Sequence, residues 1–334
     1  ESADYTVAEI KLSKLFSEKI SQDITTELAE ERDFNQQSAH GEAFLSYRLK
    51  QKQGNYLREQ LRNNIGASLV FEEVRNLRQV DVNDRLSTED ISDPEIKKSR
   101  IEELHSELAT EKRAYIINQL KRPEEVETLR QVYKSRFYLY AGMATESNRK
   151  SNLTSKPMSS LEAEFMMMLD RKEDGNHGQR VEKTVLAADF FHNCNQTESE
   201  HLTSSIKRFI ELIHGVNGHA PTQEEFGMHQ AHAASLGSLC LSRQVGAAIL
   251  DREGNIMAVG RNDVPKFGGG LYETNNGESD DRCVKRAQSS CSNDHHKNLL
   301  KEELKKILSD NATITDDQWD KIYEEISENS KVSN

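Results

Sequence analysis

The sequence predicts an α/β protein made of two domains, the first of which contains a parallel sheet. Three observations support this expectation. The chain has 334 residues, which is enough for about two domains of typical size. Its first half alternates between short strand-like segments and longer helical ones, an order that gives parallel strands joined by helical crossovers. Its second half contains a helix followed by two strands that a tight turn connects.

Three strands are predicted in the first half. Residues 5–12 alternate between apolar and polar side chains, and we expect Val7 and Ile10 to face inward. Residues 114–117 are continuously apolar, as in a buried parallel strand. The segment 136–142 is the third strand of this half.

Helices are predicted between these strands because apolar side chains recur every three to four residues. One start is marked by Pro123 with two glutamates after it. Proline at the first helical position removes only an N–H that has no partner in the helix, and acidic side chains suit this end. The predicted helices cover residues 41–63, 67–80, 95–112 and 123–133, and a further one begins at Thr145.

The second half is predicted to contain a helix packed on a two-stranded hairpin. Thr222 and Glu225 have the spacing of a capping box, so a helix starts there and is expected to reach Leu241. Its small side chains between Ala231 and Ser238 permit close packing on a sheet. Gly254 suits the turn between the strands, because glycine tolerates positive φ. The predicted segments are a helix at 204–215, strands at 245–250 and 256–260, a polar loop at 274–298, and helices at 299–308 and 317–326.

Composition narrows the class of protein. The net charge is −12 and 30% of the residues are charged. This acidic balance argues against a general polyanion binder, although a local basic groove is compatible with it. The sequence contains no run of eighteen apolar residues, so we expect no membrane-spanning helix. It also shows no secretory signal, and its four cysteines are spread out, so we expect a cytoplasmic protein.

The most informative segment runs from Cys240 to Pro265. It combines the end of a helix, a hairpin and a strand that ends in Gly-x-Asn, and three glycines follow at 268–270. This order resembles the cytidine and deoxycytidylate deaminase superfamily, whose domain opens with a helix and two strands. The resemblance implies that Asn262, with Asp263 beside it, contacts the sugar of a nucleotide.

The same resemblance places Arg243 and Gln244 near the substrate phosphates. Arg243 suits that role, because a guanidinium makes bidentate, charge-assisted hydrogen bonds to phosphate. For Asn262 and Arg243, a purely structural role remains an open alternative. In that alternative Asn262 only stabilises a turn, and Arg243 caps the C-terminus of a helix.

Further segments, at 115–133, 170–191 and 261–272, resemble one bacterial group in the same order along the chain. These are the anti-phage deoxycytidylate deaminases of the AvcD and DcdV type. The resemblance implies a parallel-sheet P-loop kinase-like domain, residues 1–185, followed by a cytidine deaminase-like α/β/α domain, residues 186–334.

The resemblance also implies a function. A member of this group would convert dCTP or dCMP to dUTP or dUMP with zinc, and so deplete dCTP during phage infection. It would form a homo-oligomer and would bind ATP, GTP or a deoxynucleotide as a regulator. Some members have an inhibitory small RNA as partner, but no residue of this sequence indicates an RNA site.

The sequence departs from the group in two motifs. A zinc deaminase needs H-x-E and a downstream P-C-x-x-C, which hold the metal and move protons. Here H-x-E occurs only at 40–42 and 105–107, with no P-C-x-x-C after it, and the Walker motif is absent. Both losses fall at the ends, so we expect the chain to be a piece of a longer protein. The alternative is a non-catalytic nucleotide-binding or regulatory interaction module.

A structural zinc is a separate expectation. Cys283, Cys291 and His295 lie close together in the sequence and are residue types that zinc prefers. A polar loop with unrelated Cys and His is equally compatible with this spacing. Some deoxycytidylate deaminases carry a second zinc with one Cys five residues before the Val-Gly-Ala of the first strand, and Cys240 occupies that position relative to Val245.

Overall fold

The computed structural model describes residues 5–30, 41–171, 177–195, 199–273, 277–285, 291–311 and 318–319. The chain separates into two compact units, unit 1 (Glu1–Val216) and unit 2 (Asn217–Asn334). The domain limits expected from the resemblance, 1–185 and 186–334, stay a prediction. The protein is mixed α/β and mostly helical. Among the described helices, none combines the length and the apolar character needed to cross a membrane.

Unit 1 contains two small parallel sheets among its described residues. The strands are β1 (Thr6–Lys11), β2 (Arg113–Asn118), β3 (Tyr140–Met143) and β4 (Phe190–Asn193). The helices are α1 (Leu12–Glu18), α2 (Gln22–Glu30), α3 (Glu42–Gln60), α4 (Ile65–Ser87), α5 (Pro94–Thr110), α6 (Pro123–Tyr133), α7 (Glu146–Thr154), α8 (Ser160–Arg171), α9 (Val181–Val185) and α10 (Ser199–Ile213).

The predicted parallel pairing is confirmed, but in two sheets. Strand β1 pairs with β2, and β3 pairs with β4. The expected start of the third strand at residue 136 is wrong, because residues 134–136 form a 3-10 turn in which Lys134 has a φ of 52°. The strand itself begins only at Tyr140.

Burial on β1 and β2 differs from the expectation. Ile10 is buried, whereas Val7 is 57% exposed. The two residues are three positions apart, and side chains of a strand alternate between its faces, so they cannot both point inward. On β2, Ile116 is 56% exposed. Within the described part of the chain, the sheet is thus covered on one face, although the apolar run had predicted a strand that is buried on both.

The main core of unit 1 lies where α1, α3, α4 and α6 meet the β1–β2 sheet. Its centre is formed by apolar side chains that have almost no contact with solvent: Ile10, Leu12, Phe16, Val70 and Leu129. A second group, Tyr138, Tyr140, Phe190 and Phe209, joins the β3–β4 sheet to α10 through aromatic contacts at 5.3–6.1 Å between ring centroids.

Unit 2 contains helix α11 (Gln223–Ser235), the antiparallel strands β5 (Gly246–Leu250) and β6 (Ile256–Arg261), and helix α12 (Ser292–Asn311). The capping box is confirmed: the backbone N of Thr222 lies 2.8 Å from Glu225 Oε2, and the backbone N of Glu225 lies 3.2 Å from Thr222 Oγ1. The hairpin is confirmed too, with Gly254 at a φ of 88°.

Two expectations for unit 2 are corrected. Helix α11 ends at Ser235 and not at Leu241, because the chain turns through Gly237, where a Cβ would lie 2.4 Å from a terminal nitrogen of Arg261. The segment 274–298 is not a loop throughout. Short 3-10 helices occupy 277–279 and 283–285, and α12 begins at Ser292, seven residues before the predicted start at 299.

Candidate functional site

The candidate site lies at the end of β6, beside the segment that leads into β5. Asn262 follows the last residue of β6 and continues the ladder, because its backbone N donates to the oxygen of Val245 at 3.0 Å. Its side chain adds two bonds. Asn262 Oδ1 accepts from the backbone N of Val245 at 2.7 Å, and Nδ2 donates to the oxygen of Arg243 at 2.7 Å. The predicted sugar contact therefore holds the segment that carries the predicted phosphate contact.

A third residue supports this amide. The hydroxyl of Ser238, which is buried, lies 2.9 Å from Asn262 Oδ1 and 2.6 Å from its backbone oxygen. An asparagine side chain has two acceptor positions and two N–H groups. Among the described residues, Oδ1 accepts from Val245 and shares the single Ser238 hydroxyl hydrogen with the backbone oxygen, and one N–H donates to Arg243. Asn262 itself is exposed. The amide is thus fixed in orientation with one donor left for a ligand.

Arg243 and Gln244, the two residues predicted to face the phosphates, differ from Asn262 in their contacts. Arg243 is exposed, and its backbone oxygen is the group that Asn262 holds. Gln244 turns back on its own loop, since its Nε2 donates to the oxygen of Cys240 at 3.4 Å. Of these two residues, only Arg243 carries a charge that could meet a phosphate.

Asp263 belongs to a buried ion cluster that the sequence reasoning missed. Its side chain is 2% exposed, and its Oδ2 lies 3.6 Å from Nη1 of Arg282 and 3.8 Å from Nε of Arg261. Arg282 also donates from Nε and Nη2 to the two oxygens of Asp280, at 2.8 and 2.6 Å. A ligand contact through Asp263 would compete with these charges, so its geometry favours a structural role.

The sequence offered one signal for this cluster. Asp280, Asp281 and Arg282 are consecutive charged residues inside a segment that was expected to be a loop. Charged side chains are almost never fully buried unless they are paired. Nothing in the sequence pairs Arg282 with Asp263, which lies nineteen positions earlier.

Acid should weaken this cluster. The Arg282 guanidinium, through its hydrogen bonds, holds the pKa of Asp280 below its ordinary value of 3.8. A carboxyl with a lowered pKa in the folded state stabilises the fold above that ordinary value, and the contribution is lost as the pH falls through the folded pKa. We expect hydrogen exchange of residues 277–285, corrected for intrinsic rates, to accelerate below about pH 3.8. Asp280→Asn should show the faster exchange already at pH 7.

The predicted structural zinc is not supported by a formed site. Within the part of the chain that the structure describes, no three His, Cys, Asp or Glu side chains come together to hold a metal. Cys283 lies at the first turn of α12, where the backbone N of Ser292 donates to its Sγ at 3.4 Å. Cys291 and His295 belong to the same turn, joined by a backbone hydrogen bond of 2.9 Å. Zinc at Cys240, Cys283, Cys291 and His295 stays a prediction.

Among the described residues of unit 1, no loop that could cradle a phosphate separates the first strand from the helix after it. Helix α1 starts at Leu12, directly after β1. Beyond β2, the N-terminal turn of α6 contains Glu125, whose Oε2 accepts from the backbone N of Lys121 at 3.1 Å. A carboxylate therefore already occupies the positive end of that helix.

Comparisons with known proteins leave the family open. No family model matches the chain, no curated protein is significantly similar to it, and no solved structure matches it at a significant level. The candidate site therefore depends on its own geometry and on the motif resemblance.

Proposed function

We propose that this protein hydrolytically deaminates deoxycytidine nucleotides, dCTP or dCMP, to the deoxyuridine nucleotides, and so lowers the dCTP pool during phage infection. The observation that carries the proposal is the hydrogen bond between Asn262 Nδ2 and the oxygen of Arg243. This hydrogen bond joins the two residues that the resemblance assigns to the sugar and the phosphate, and so supports one shared site on the helix–hairpin unit.

The division of roles comes from the resemblance, and the geometry is compatible with it. Among the described residues, one N–H of Asn262 has no acceptor, and it can donate to a sugar hydroxyl. Arg243 is exposed and carries the charge that a phosphate requires. The P-C-x-x-C of zinc deaminases is not in this sequence. Asn262 and Arg243 would therefore supply nucleotide contacts and not metal ligands.

Removal of the phosphate contact should depend on the substrate. In full-length protein, Arg243→Gln is expected to raise the KM for dCMP or dCTP about tenfold, the effect of one hydrogen bond to a charged group. The KM for deoxycytidine, which has no phosphate, should stay within twofold of that of the wild type. The measurement is chromatographic separation of the cytosine and uracil products. Arg252→Gln, at an exposed position in the β5–β6 turn, is the matched control.

Asn262→Ala should lower kcat/KM for all of these substrates, because it removes the sugar contact and releases the Arg243 segment. Ser238→Ala, which removes one bond to the Asn262 amide and keeps the amide itself, should have a smaller effect. Normal turnover by Asn262→Ala would contradict the assignment. Calorimetric binding of dCMP without turnover by the full-length wild type would instead favour a nucleotide-binding regulatory module.

A further inference from the structure

The ion cluster beyond β6 connects two stretches of chain that are separate in sequence. Arg261 ends β6, Asp263 follows the candidate sugar contact, and Asp280 with Arg282 belongs to the segment before α12. The Asp263, Asp280 and Arg282 side chains are all at least 96% buried. Two positive and two negative charges therefore meet at the base of the candidate site, largely out of contact with water.

Arg282 contacts both stems of a tight loop. On the first stem, its Nη1 faces Asp263 at 3.6 Å. On the second stem, its guanidinium lies 5.8 Å from the ring centroid of Tyr272, which is buried, and the hydroxyl of Tyr272 bonds Asp281 at 3.3 Å. Nη2 of Arg282 also donates to the backbone oxygen of Glu273 at 3.3 Å. One guanidinium thus closes the loop at its base.

The loop between the two stems is itself ordered by its backbone. Pro265 and Leu271 form an antiparallel bridge, and the N of Lys266 donates to the oxygen of Gly270 at 3.3 Å. The three glycines at 268–270 have φ values of 82–100°, a conformation that other residues rarely adopt. Phe267, at the tip, is 99% exposed. Residues 265–271 are therefore a preformed hairpin that starts three positions after Asn262.

The position of this cluster distinguishes it from an ordinary stabilising ion pair. Asp263 is the neighbour of Asn262 in the chain, and the Asn262 amide must keep its orientation to hold Arg243. A shift of Asp263 would turn the strand end and move both nucleotide contacts together. Positioning errors of about 1 Å in such groups can lower activity about a hundredfold.

We propose that Arg282 is a positioning residue of the nucleotide site. It holds Asn262 in place through Asp263, and it holds the 265–271 hairpin in place through Tyr272. This inference rests on the proposed function, since it assigns to Arg282 a role in binding the deoxycytidine nucleotide. Arg282 itself touches no substrate.

The test uses full-length protein with Arg282→Gln, Arg282→Lys and, as matched control, Arg252→Gln. Because Asn262 and Arg243 contact parts of the nucleotide that do not react, their displacement should weaken binding of the ground state and the transition state alike. Arg282→Gln is expected to raise the KM for dCMP about tenfold, with kcat changed less than threefold. Arg282→Lys, which keeps the charge and loses the planar fork, should fall between Arg282→Gln and the wild type.

A second measurement, limited proteolysis, reports on the 265–271 hairpin and does not depend on enzyme activity. Trypsin should cleave after Lys266 faster in Arg282→Gln than in the wild type or in Arg252→Gln. If Arg282→Gln does not fold, Asp263→Asn replaces it. This change removes the charge that faces Arg282 at 3.6 Å and Arg261 at 3.8 Å, and it keeps the bonds between Arg282 and Asp280.

The outcomes separate the two proposals. An active wild type with an unchanged KM in Arg282→Gln overturns the positioning role and leaves the proposed function standing. An equal rise in KM for Arg252→Gln also overturns it, since the effect would then be unspecific. A full-length wild type that neither binds nor converts dCMP or dCTP overturns the proposed function, and the positioning role falls with it.

Discussion

Replacement of Arg58 by methionine is expected to lower the free energy of unfolding of unit 1 by about 3–5 kcal/mol, because it leaves a carboxylate buried without its charge partner. Arg58 and Glu125 are 2% and 0% exposed. Nε and Nη2 of Arg58 donate to Glu125 Oε1 at 3.2 and 2.9 Å. The guanidinium also lies 5.2 Å from the ring centroid of Phe16, in the main core.

The surroundings of this pair leave little room for adjustment. A Cβ on Gly66, the second residue of α4, would lie 2.6 Å from Glu125 Oε1, so helix α4 comes close to the carboxylate. Water therefore cannot easily replace the missing guanidinium. The measurement is the opening free energy of α3 and α6 from hydrogen exchange, which reports on unit 1 separately from unit 2.

Two variants control this prediction. Arg171→Gln breaks the Arg171–Glu182 pair, which has similar chemistry but is 70% and 55% exposed, and should cost about 0–1 kcal/mol. The double variant Arg58→Met, Glu125→Gln removes both charges and keeps an oxygen for the backbone N of Lys121. Because neither ion is then left alone, it should recover most of the lost stability. A single variant as stable as the wild type would contradict the buried-pair argument.

Local patterns in the sequence were sufficient to predict the elements that depend on neighbouring residues. The capping box of Thr222 and Glu225 and the turn at Gly254 each involve residues a few positions apart, and both are present in the structure. The parallel pairing of β1 with β2 followed from the helices between them. The burial expected for both faces of β2 was wrong, because distant segments decide which faces of a sheet are covered.

The polar contacts at the centre of each unit could not be predicted in the same way. Arg58 and Glu125 are sixty-seven positions apart, and each would be read as a surface charge in an amphipathic helix. The role of Asn262 was expected from a motif, but its partners Ser238 and Val245 follow from the way α11 ends and β5 begins. Distant ion pairs leave no periodic signal in a single sequence.

Gly246→Ala is expected to destabilise unit 2 by about 3 kcal/mol or more, through overpacking against a backbone that cannot give way. A Cβ on Gly246 would lie 1.8 Å from the backbone oxygen of Ala231 and 2.6 Å from the backbone N of Ser235. Both atoms belong to α11. The methyl group can therefore fit only if the helix and the strand separate.

The matched control for this variant is Gly260→Ala on the neighbouring strand. Gly260 pairs with Ala247, next to Gly246, and a Cβ on it meets no atom within 4 Å. Since glycine in a strand is about 0.5–1 kcal/mol less favourable than alanine, Gly260→Ala should be neutral or slightly stabilising. Hydrogen exchange of β5 and α11 separates the two results, and equal protection in both variants would contradict the close approach.

The same contact links stability to the candidate site. The last turn of α11 leads through Ser238 to Arg243, and Ser238 supports the Asn262 amide. If α11 moves away from β5 in Gly246→Ala, Ser238 and Arg243 move with the end of the helix, while Asn262 stays with the hairpin. We therefore expect binding of dCMP to be lost in Gly246→Ala and retained in Gly260→Ala, even at temperatures where both variants remain folded. Calorimetric titration of dCMP into the two full-length variants measures this difference.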